Sequence, residues 1–280
     1  MLLLAYEALD GEIEVATVNH GLRPEAKAEC DLVASQCQTL GVRCEVLQVT
    51  VAEGNLQEQA RLARYAALLE WAGRRKLHGL ATAHHADDQA ETVLMRLNRG
   101  AGLQGLRGIR KKILFEDQST PVVRPLLGFR RAELLRIVEQ CGVEFVRDPS
   151  NVDERFDRVR MRQALADADW LDPHAIVRSA NYLAEAERTL DSLAKMMWER
   201  NASVGADQVT VPLTNFLDTN ARLVVRSARA LDLELVLGEV MMLMKTRLVS
   251  TGDKANLGGA LIEKRHDDYL VRREPPRRTG

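Results

Sequence analysis

The chain has 280 residues, 46% hydrophobic and 28% charged, with 39 Lys and Arg against 40 Asp and Glu. That balance is globular and excludes wholesale disorder, collagen-like sequence and coiled coil; the length suits one large domain or two modest ones. A formal net charge of -1 speaks against holding nucleic acid by bulk positive charge, although a total does not say where the charges sit.

The elements alternate along the first half. Residues 14–18 (EVATV) read as a short buried strand. Residues 26–40 read as a helix with Leu32, Val33, Cys37 and Leu40 on one face, closed by Gly41. Residues 43–51 form a second strand. Asn55 is placed to cap a helix, with Glu58 as its box partner, running to about Lys76. Residues 78–83 (HGLATA) are a third strand and 87–97 a helix opening on acids. Strands alternating with helices imply parallel βαβ units, whose ligands sit at the carboxyl ends of the strands.

The second half reads as more helical. An Arg-rich helix spans 156–166, and a long helix runs from about Pro173 to Arg200. Residues 208–213 are a short strand. Residues 220–248 are helical, with Gly238 expected to interrupt the stretch or to join two helices. Residues 257–273 alternate weakly around a turn at His266-Asp267-Asp268. The methionines Met241, Met242 and Met244 are read as core.

Charge is distributed unevenly. Residues 1–60 carry 3 basic and 10 acidic side chains, whereas residues 91–136 carry 10 and 4. The basic stretch holds Arg96, Arg99, Arg107, Arg110, Lys111, Lys112, Arg124, Arg130, Arg131 and Arg136, a candidate patch for a polyanion. No segment approaches the roughly 18–20 apolar residues of a membrane span. The apolar start lacks the basic flank of a secretory signal. Cys30, Cys37, Cys44 and Cys141 form no CxxC pair, so neither a zinc clip nor a dithiol redox pair is signalled; buried thiols of a cytoplasmic protein are expected.

Three clusters carry chemistry. In residues 84–92 (HHADDQAET) two imidazoles end a strand and two carboxylates open a helix. Glu91, three residues beyond Asp88, projects from the same face. Capping of the helix explains one of the acids. It does not explain His84, Asp87, Asp88 and Glu91 together, a set suited to holding Mg²⁺ or an ammonium and accepting its proton. Residues 18–25 (VNHGLRPE) place His20 and Arg23 around a glycine turn. In residues 148–162 (DPSNVDERFDRVRMR), Arg158, Arg160 and Arg162 cannot all share one helical face. One or two can reach a phosphate or carboxylate while the rest pair with Asp153, Glu154 or Asp157.

In this order, VNHGLRPEA, NLQEQARLARYAAL, HHADDQAETVLMRLNRGAGLQGLRGI, RPLLGFRRAEL and DPSNVDERFDRVRMR resemble the bacterial tRNA(Ile)-lysidine synthases, members of the PP-loop (N-type) ATP pyrophosphatase superfamily. The likeness is strong to about residue 165 and weaker to about 275. It implies an α/β fold: a parallel-sheet, Rossmann-like PP-loop domain over 1–165, then a mainly helical tRNA-binding domain over 166–280. It implies a cytoplasmic ligase that uses ATP and Mg²⁺ to join free L-lysine to the wobble cytidine of an isoleucine tRNA with a CAU anticodon. A homodimer is compatible with it. Carried over by position, Asp88, Glu91 and Arg158 are candidate reaction-site residues, Asp87 a metal neighbour, and His20, Arg23 and His84 nucleotide neighbours. Arg96, Arg99, Arg107, Arg110, Lys111, Lys112, Arg124, Arg130 and Arg131 would face tRNA phosphates.

One departure stands out. The family's S-G-G-x-D-S phosphate loop, with its anion-cradling backbone N–H groups, does not occur in the sequence. The expectation is that Met1 follows directly on that loop and its strand. Two other readings remain open: a tRNA-binding homologue without catalysis, and another tRNA-modifying enzyme of the superfamily.

Overall fold

A computed structural model describes residues 1–21, 25–115, 117–146 and 157–274. The chain divides into two compact units, residues 1–100 with 107–180, and residues 101–106 with 181–280.

The first unit opens with helix α1 (Leu2–Ala8), strand β1 (Glu14–Asn19), helix α2 (Glu25–Thr39), strand β2 (Arg43–Gln48) and helix α3 (Leu56–Arg74). Strand β3 (Leu80–Ala81) and helix α4 (Ala86–Asn98) follow; helix α5 (Leu103–Leu106) falls in the other unit. Strands β4 (Lys112–Ile113) and β5 (Val122–Val123) lead to a single 3-10 turn (Pro125–Gly128), helix α6 (Arg131–Gln140) and helix α7 (Asp157–Asp167). The expected parallel pairing is present: β1 lies parallel to β2 with Glu14 opposite Arg43, and β3 lies parallel to β5 with Leu80 opposite Val122. β4 joins antiparallel to β5.

Helix α3 organises this unit. Asn55 caps it by accepting the Glu58 N–H, which satisfies one of the orphan donors of the first turn. Tyr65, Leu68, Leu69 and Ala72 recur at the spacing of one helical face and pack with Trp71, Leu80 and Val122 in one core cluster. β1 and β3 are not paired with each other; β1, β3, α1 and α3 border a cavity of about 960 Å³. Its walls are apolar at Leu2, Ala5, Val15, Leu68 and Leu80, and polar at Arg64, His84, Asp88 and Arg158.

The second unit holds most of helix α8 (Pro173–Asn201), then strands β6 (Ser203–Val204) and β7 (Gln208–Pro212), helices α9 (Leu217–Arg229) and α10 (Leu237–Thr246), and strands β8 (Lys254–Leu257), β9 (Ala260–Lys264) and β10 (Asp268–Arg273). Helices contribute more residues than strands, yet the strands close into one antiparallel sheet in the order β6-β7-β10-β9-β8. Val209, Val211, Ile262 and Val271 point from it into a core completed by Leu223, Val224, Val240 and Met244. The helical break falls at residues 230–236, where Asp232 takes φ 53°, and not at Gly238, which lies inside α10. A glycine within a helix costs about 1 kcal/mol and does not by itself end one. Met244 is core, but Met242 is 68% exposed.

The expectation of buried thiols holds for two of the four cysteines. Cys30 and Cys37 are buried, whereas Cys141 is exposed; burial pushes the Cys37 thiol up to about 12, so it is a poor nucleophile. No helix among the described residues is long and apolar enough to cross a membrane.

Candidate active site

The segment from β3 into α4 brings the strongest cluster together. The backbone leaves the strand at Ala81 and passes His84, and His85 becomes the N-cap of α4. Asp88 closes a capping box: its Oδ2 accepts the His85 N–H at 2.9 Å, while His85 Nδ1 accepts the Asp88 N–H at 3.3 Å. The same carboxylate turns Oδ1 toward Arg158 Nη2 at 2.9 Å. Asp88 is therefore both a cap and a member of the site.

Glu91 is only 1% exposed. Its Oε2 accepts from Arg158 Nε at 2.7 Å and its Oε1 from Arg162 Nε at 2.8 Å. The bond to Glu91 holds the Arg162 guanidinium more firmly charged than usual, against the opposing effect of burial. Arg158 and Arg162 share a face of α7 at a spacing of four, while Arg160 turns away and pairs with Asp157. Buried carboxylates persist in an interior only when paired and hydrogen-bonded, and here the partners come from a helix some seventy positions on.

His84 lies beside this cluster and shares a hydrogen bond through Nδ1 with Thr82 Oγ1 at 3.0 Å. Burial, reinforced by the nearby charges of Arg124, Arg61 and Arg158, pushes its imidazole down to about 4. Burial and Arg64 also lower His20, whose buried Nδ1 has no partner among the described residues. Both histidines are thus neutral near pH 7 and can meet a ligand as donor or acceptor. Gly21 takes φ 64° in the turn after β1, with its N–H on Asn19 Oδ1. Arg23, residues 148–151, Asp153 and Glu154 lie outside the described residues.

Asp87 does not stand as a metal ligand. Its Oδ1 accepts from Arg130 Nε at 2.9 Å and its Oδ2 from the Arg131 N–H at 2.7 Å. Burial works against its charge, but the Arg131 N–H and the Arg130 guanidinium prevail and hold the carboxyl below the usual range. It ties the start of α6 to α4. With the oxygens of Asp87, Asp88 and Glu91 all engaged, the trio does not fit the coordination shell of Mg²⁺. Among the described residues no group of three or more His, Cys, Asp or Glu is arranged to hold a metal ion.

The basic residues separate by exposure. Arg99, Arg110, Lys111, Lys112 and Arg131 are exposed, Arg96, Arg107 and Arg130 half-buried, and Arg124 is buried at 3%. Arg124 therefore does not lie on an open face. It donates through Nη1 to the Arg110 carbonyl at 2.7 Å and through Nη2 to the Tyr65 hydroxyl at 3.1 Å. Arg96 props the basic segment through the Gly108 carbonyl. Gln89 pins it: Nε2 donates to the carbonyls of Arg107 and Ile109, and Oε1 accepts the Ile109 N–H.

Sequence reasoning assigned no role to Gln89, Arg61, Arg64 or Tyr65. The string RLARY in α3 carried a signal, since Arg61, Arg64 and Tyr65 are spaced to share one helical face near the strand ends.

Comparison with known proteins places this geometry. A family model described as a PP-loop domain matches residues 1–168. A tRNA(Ile)-lysidine synthase of Zymomonas mobilis is 36% identical over 100% of this chain and 86% of its own. Another from Novosphingobium aromaticivorans is 46% identical over 200 residues, 71% of this chain and 61% of that relative. Among solved structures, a U34-tRNA thiolase from Methanococcus maripaludis superimposes with a TM-score of 0.55 at 19% identity, covering 66% of this chain and 68% of that one; at that identity the likeness concerns fold alone.

Proposed function

The chain belongs to the PP-loop tRNA(Ile)-lysidine synthase family, and on that premise we propose that it acts as an ATP-dependent ligase joining L-lysine to C2 of the wobble cytidine in a CAU-anticodon isoleucine tRNA. The C2 oxygen of the cytosine attacks the α-phosphorus of ATP and releases pyrophosphate. The ε-amine of lysine then attacks C2, AMP leaves with that oxygen, and the amine loses a proton.

The observation that supports this reading best is the pair Asp88 and Glu91, set on one face of α4 at the carboxyl end of β3 and closed by Arg158. A lysine amine with a reference pKa of about 10.4 arrives as a cation and must shed its proton to attack. Two carboxylates held by a guanidinium are a ready receptor for another cation. Lysine takes the place of Arg158, whose side chain is 41% exposed, and the carboxylate it leaves accepts the proton. Neutral His84 borders the same cavity and suits contact with the nucleotide. The exposed Arg110, Lys111 and Lys112, on a segment pinned by Gln89, supply a positive rim for tRNA phosphates. ATP use follows from the family. The carboxylate trio offers no vacant ligand set for magnesium, and no step is assigned to that ion.

The test is a single incubation of the protein with ATP, labelled lysine and an isoleucine tRNA transcript bearing CAU. Label should enter the tRNA at the wobble position, with AMP released in step and dependent on both lysine and tRNA. AMP release without labelled tRNA, or labelling indifferent to the anticodon, would refute the proposal.

A further inference from the structure

Strand β4 is the edge of its sheet, in the order β3-β5-β4, and the chain leaves it through Leu114 and Phe115. Leu114 is 62% exposed and Phe115 37%. A single exposed apolar side chain is ordinary on a protein surface. These two follow three exposed cations, Arg110, Lys111 and Lys112. The Phe115 ring lies 6.0 Å from that of Tyr65, centroid to centroid, at an interplanar angle of 53°, within the range of a favourable tilted pair. Tyr65 is 8% exposed and belongs to the core cluster, so it backs Phe115 from the inside and leaves part of the ring to solvent. Arg61, exposed on α3, holds its guanidinium carbon 5.2 Å from the Tyr65 centroid.

Buried Arg124 ties the cations to the rings. Its Nη2 donates to the Tyr65 hydroxyl at 3.1 Å, its Nη1 to the Arg110 carbonyl at 2.7 Å, and its backbone N–H to the Lys111 carbonyl at 2.9 Å. Some exposed cations of the first unit meet acids, as Lys27 meets Asp31, Arg74 meets Glu45 and Arg99 meets Asp157. Arg61, Arg110, Lys111 and Lys112 have no carboxylate partner among the described residues, and Asp117, two positions beyond Phe115, pairs with none of them. A part-exposed ring among unpaired cations suits a single-stranded polyanion: the cations take its phosphates, and the ring takes the face of an unstacked base. A duplex offers such a surface its phosphates alone, because its bases are stacked on one another.

We propose that Phe115, backed by Tyr65 and preceded by Arg110, Lys111 and Lys112, is a stacking platform for an unpaired base of the RNA substrate, so that this rim takes single-stranded and not helical RNA. That the polyanion is RNA rests on the proposed function; the preference for unpaired bases rests on the ring and its setting.

The experiment measures binding by the full chain of two RNAs, by fluorescence anisotropy at several salt concentrations. One is a CAU anticodon stem-loop; the other is the same strand annealed to its complement, in which every base is paired. Variants are Phe115→Leu, which keeps an apolar cover over Tyr65, Phe115→Tyr and Phe115→Trp, which keep a ring, and Lys112→Gln. Phe115→Leu should weaken the stem-loop about fivefold or more, leave the duplex within about twofold, and leave the salt dependence as it was. Phe115→Tyr and Phe115→Trp should bind the stem-loop as the parent does. Lys112→Gln should weaken both RNAs alike and lower the salt slope by about one. A spectroscopic readout separates stacking from packing: the indole of Phe115→Trp should be quenched by the stem-loop and not by the duplex, beyond any change in the parent. The proposal is overturned if Phe115→Leu weakens both RNAs equally or neither, if the aromatic variants bind no better than Phe115→Leu, or if the parent binds neither RNA. Absence of lysine transfer with stem-loop binding still dependent on the ring would strike the proposed reaction alone. Transfer that proceeds with binding indifferent to Phe115 would strike the platform alone.

Discussion

Replacing Glu91 with glutamine tests the central ion cluster most directly. The change keeps the shape of the side chain and removes its charge, leaving Arg158 and Arg162 to share one carbonyl oxygen where each had a carboxylate oxygen at 2.7 and 2.8 Å. Breaking a fully buried ion pair costs about 3–5 kcal/mol because a charge is stranded. Here the carboxylate is buried, but the arginine side chains are 41% and 29% exposed and can turn to water. The expected loss is therefore smaller, about 2–3 kcal/mol, or roughly 5–10 °C in midpoint for a domain of this size. Urea and thermal unfolding would be followed by tryptophan fluorescence with Trp170→Phe and Trp198→Phe in the background. Trp71, buried at 3% in the core of the first unit, is then the sole reporter. Adding Arg162→Gln closes a double-mutant cycle, with an expected coupling of about 1–3 kcal/mol. Additivity to within about 0.5 kcal/mol would show that the pair is a surface contact and that the reasoning fails.

Three further outcomes are expected. The His84 imidazole, pushed down to about 4, should stay neutral in the folded protein where an unfolded histidine, near 6.5, is already charging. The unfolded chain binds more protons in that window, so stability contributed by this group is present above about 6.5 and declines as pH falls toward 4. Titration of His84 above pH 6 by NMR would contradict this, and His84→Gln should flatten that part of the pH profile. Asp87→Asn removes a depressed carboxyl that bonds Arg130 and the Arg131 N–H. It should cost about 1–3 kcal/mol near neutral pH. The parent's advantage should vanish as pH falls below the carboxylate range, and equal midpoints at pH 7 would count against the link. Gln89→Leu removes no charge but frees the segment that carries Arg110, Lys111 and Lys112. RNA affinity at fixed salt should fall by roughly fivefold through the added ordering cost, with the salt dependence unchanged. Unaltered binding would mean that the segment is held by other contacts.

The sequence was most legible where structure is decided locally. Asn55 announces the start of α3, the acids at Asp87 and Asp88 announce α4, and apolar periodicity marks the strands β1 and β2 to within a few residues. A hydrogen bond to the residue's own next turn, or a face repeating every two or four positions, is written within a short window. The same windows set His84, Asp88 and Glu91 at a strand end, and the string in which they stand pointed to the family. The helical break falls at residues 230–236 and not at Gly238 because glycine is a weak signal beside the packing of Leu231 into the core.

Composition by itself left the charges as a near-zero total with an acidic start and a basic middle. Only the tertiary structure decided which charge meets which. Asp87 could have been a metal ligand until Arg130 was brought to it from 43 positions away. Arg124 counted as one more surface cation until the chain buried it and turned it to the Tyr65 hydroxyl. Glu91 acquired its two guanidiniums from a helix that begins at Asp157. A carboxylate's partner is chosen by which elements pack together and by the cost of leaving a charge unpaired in a poorly solvated place. That cost depends on distance and burial, which neither the order of residues nor their number contains.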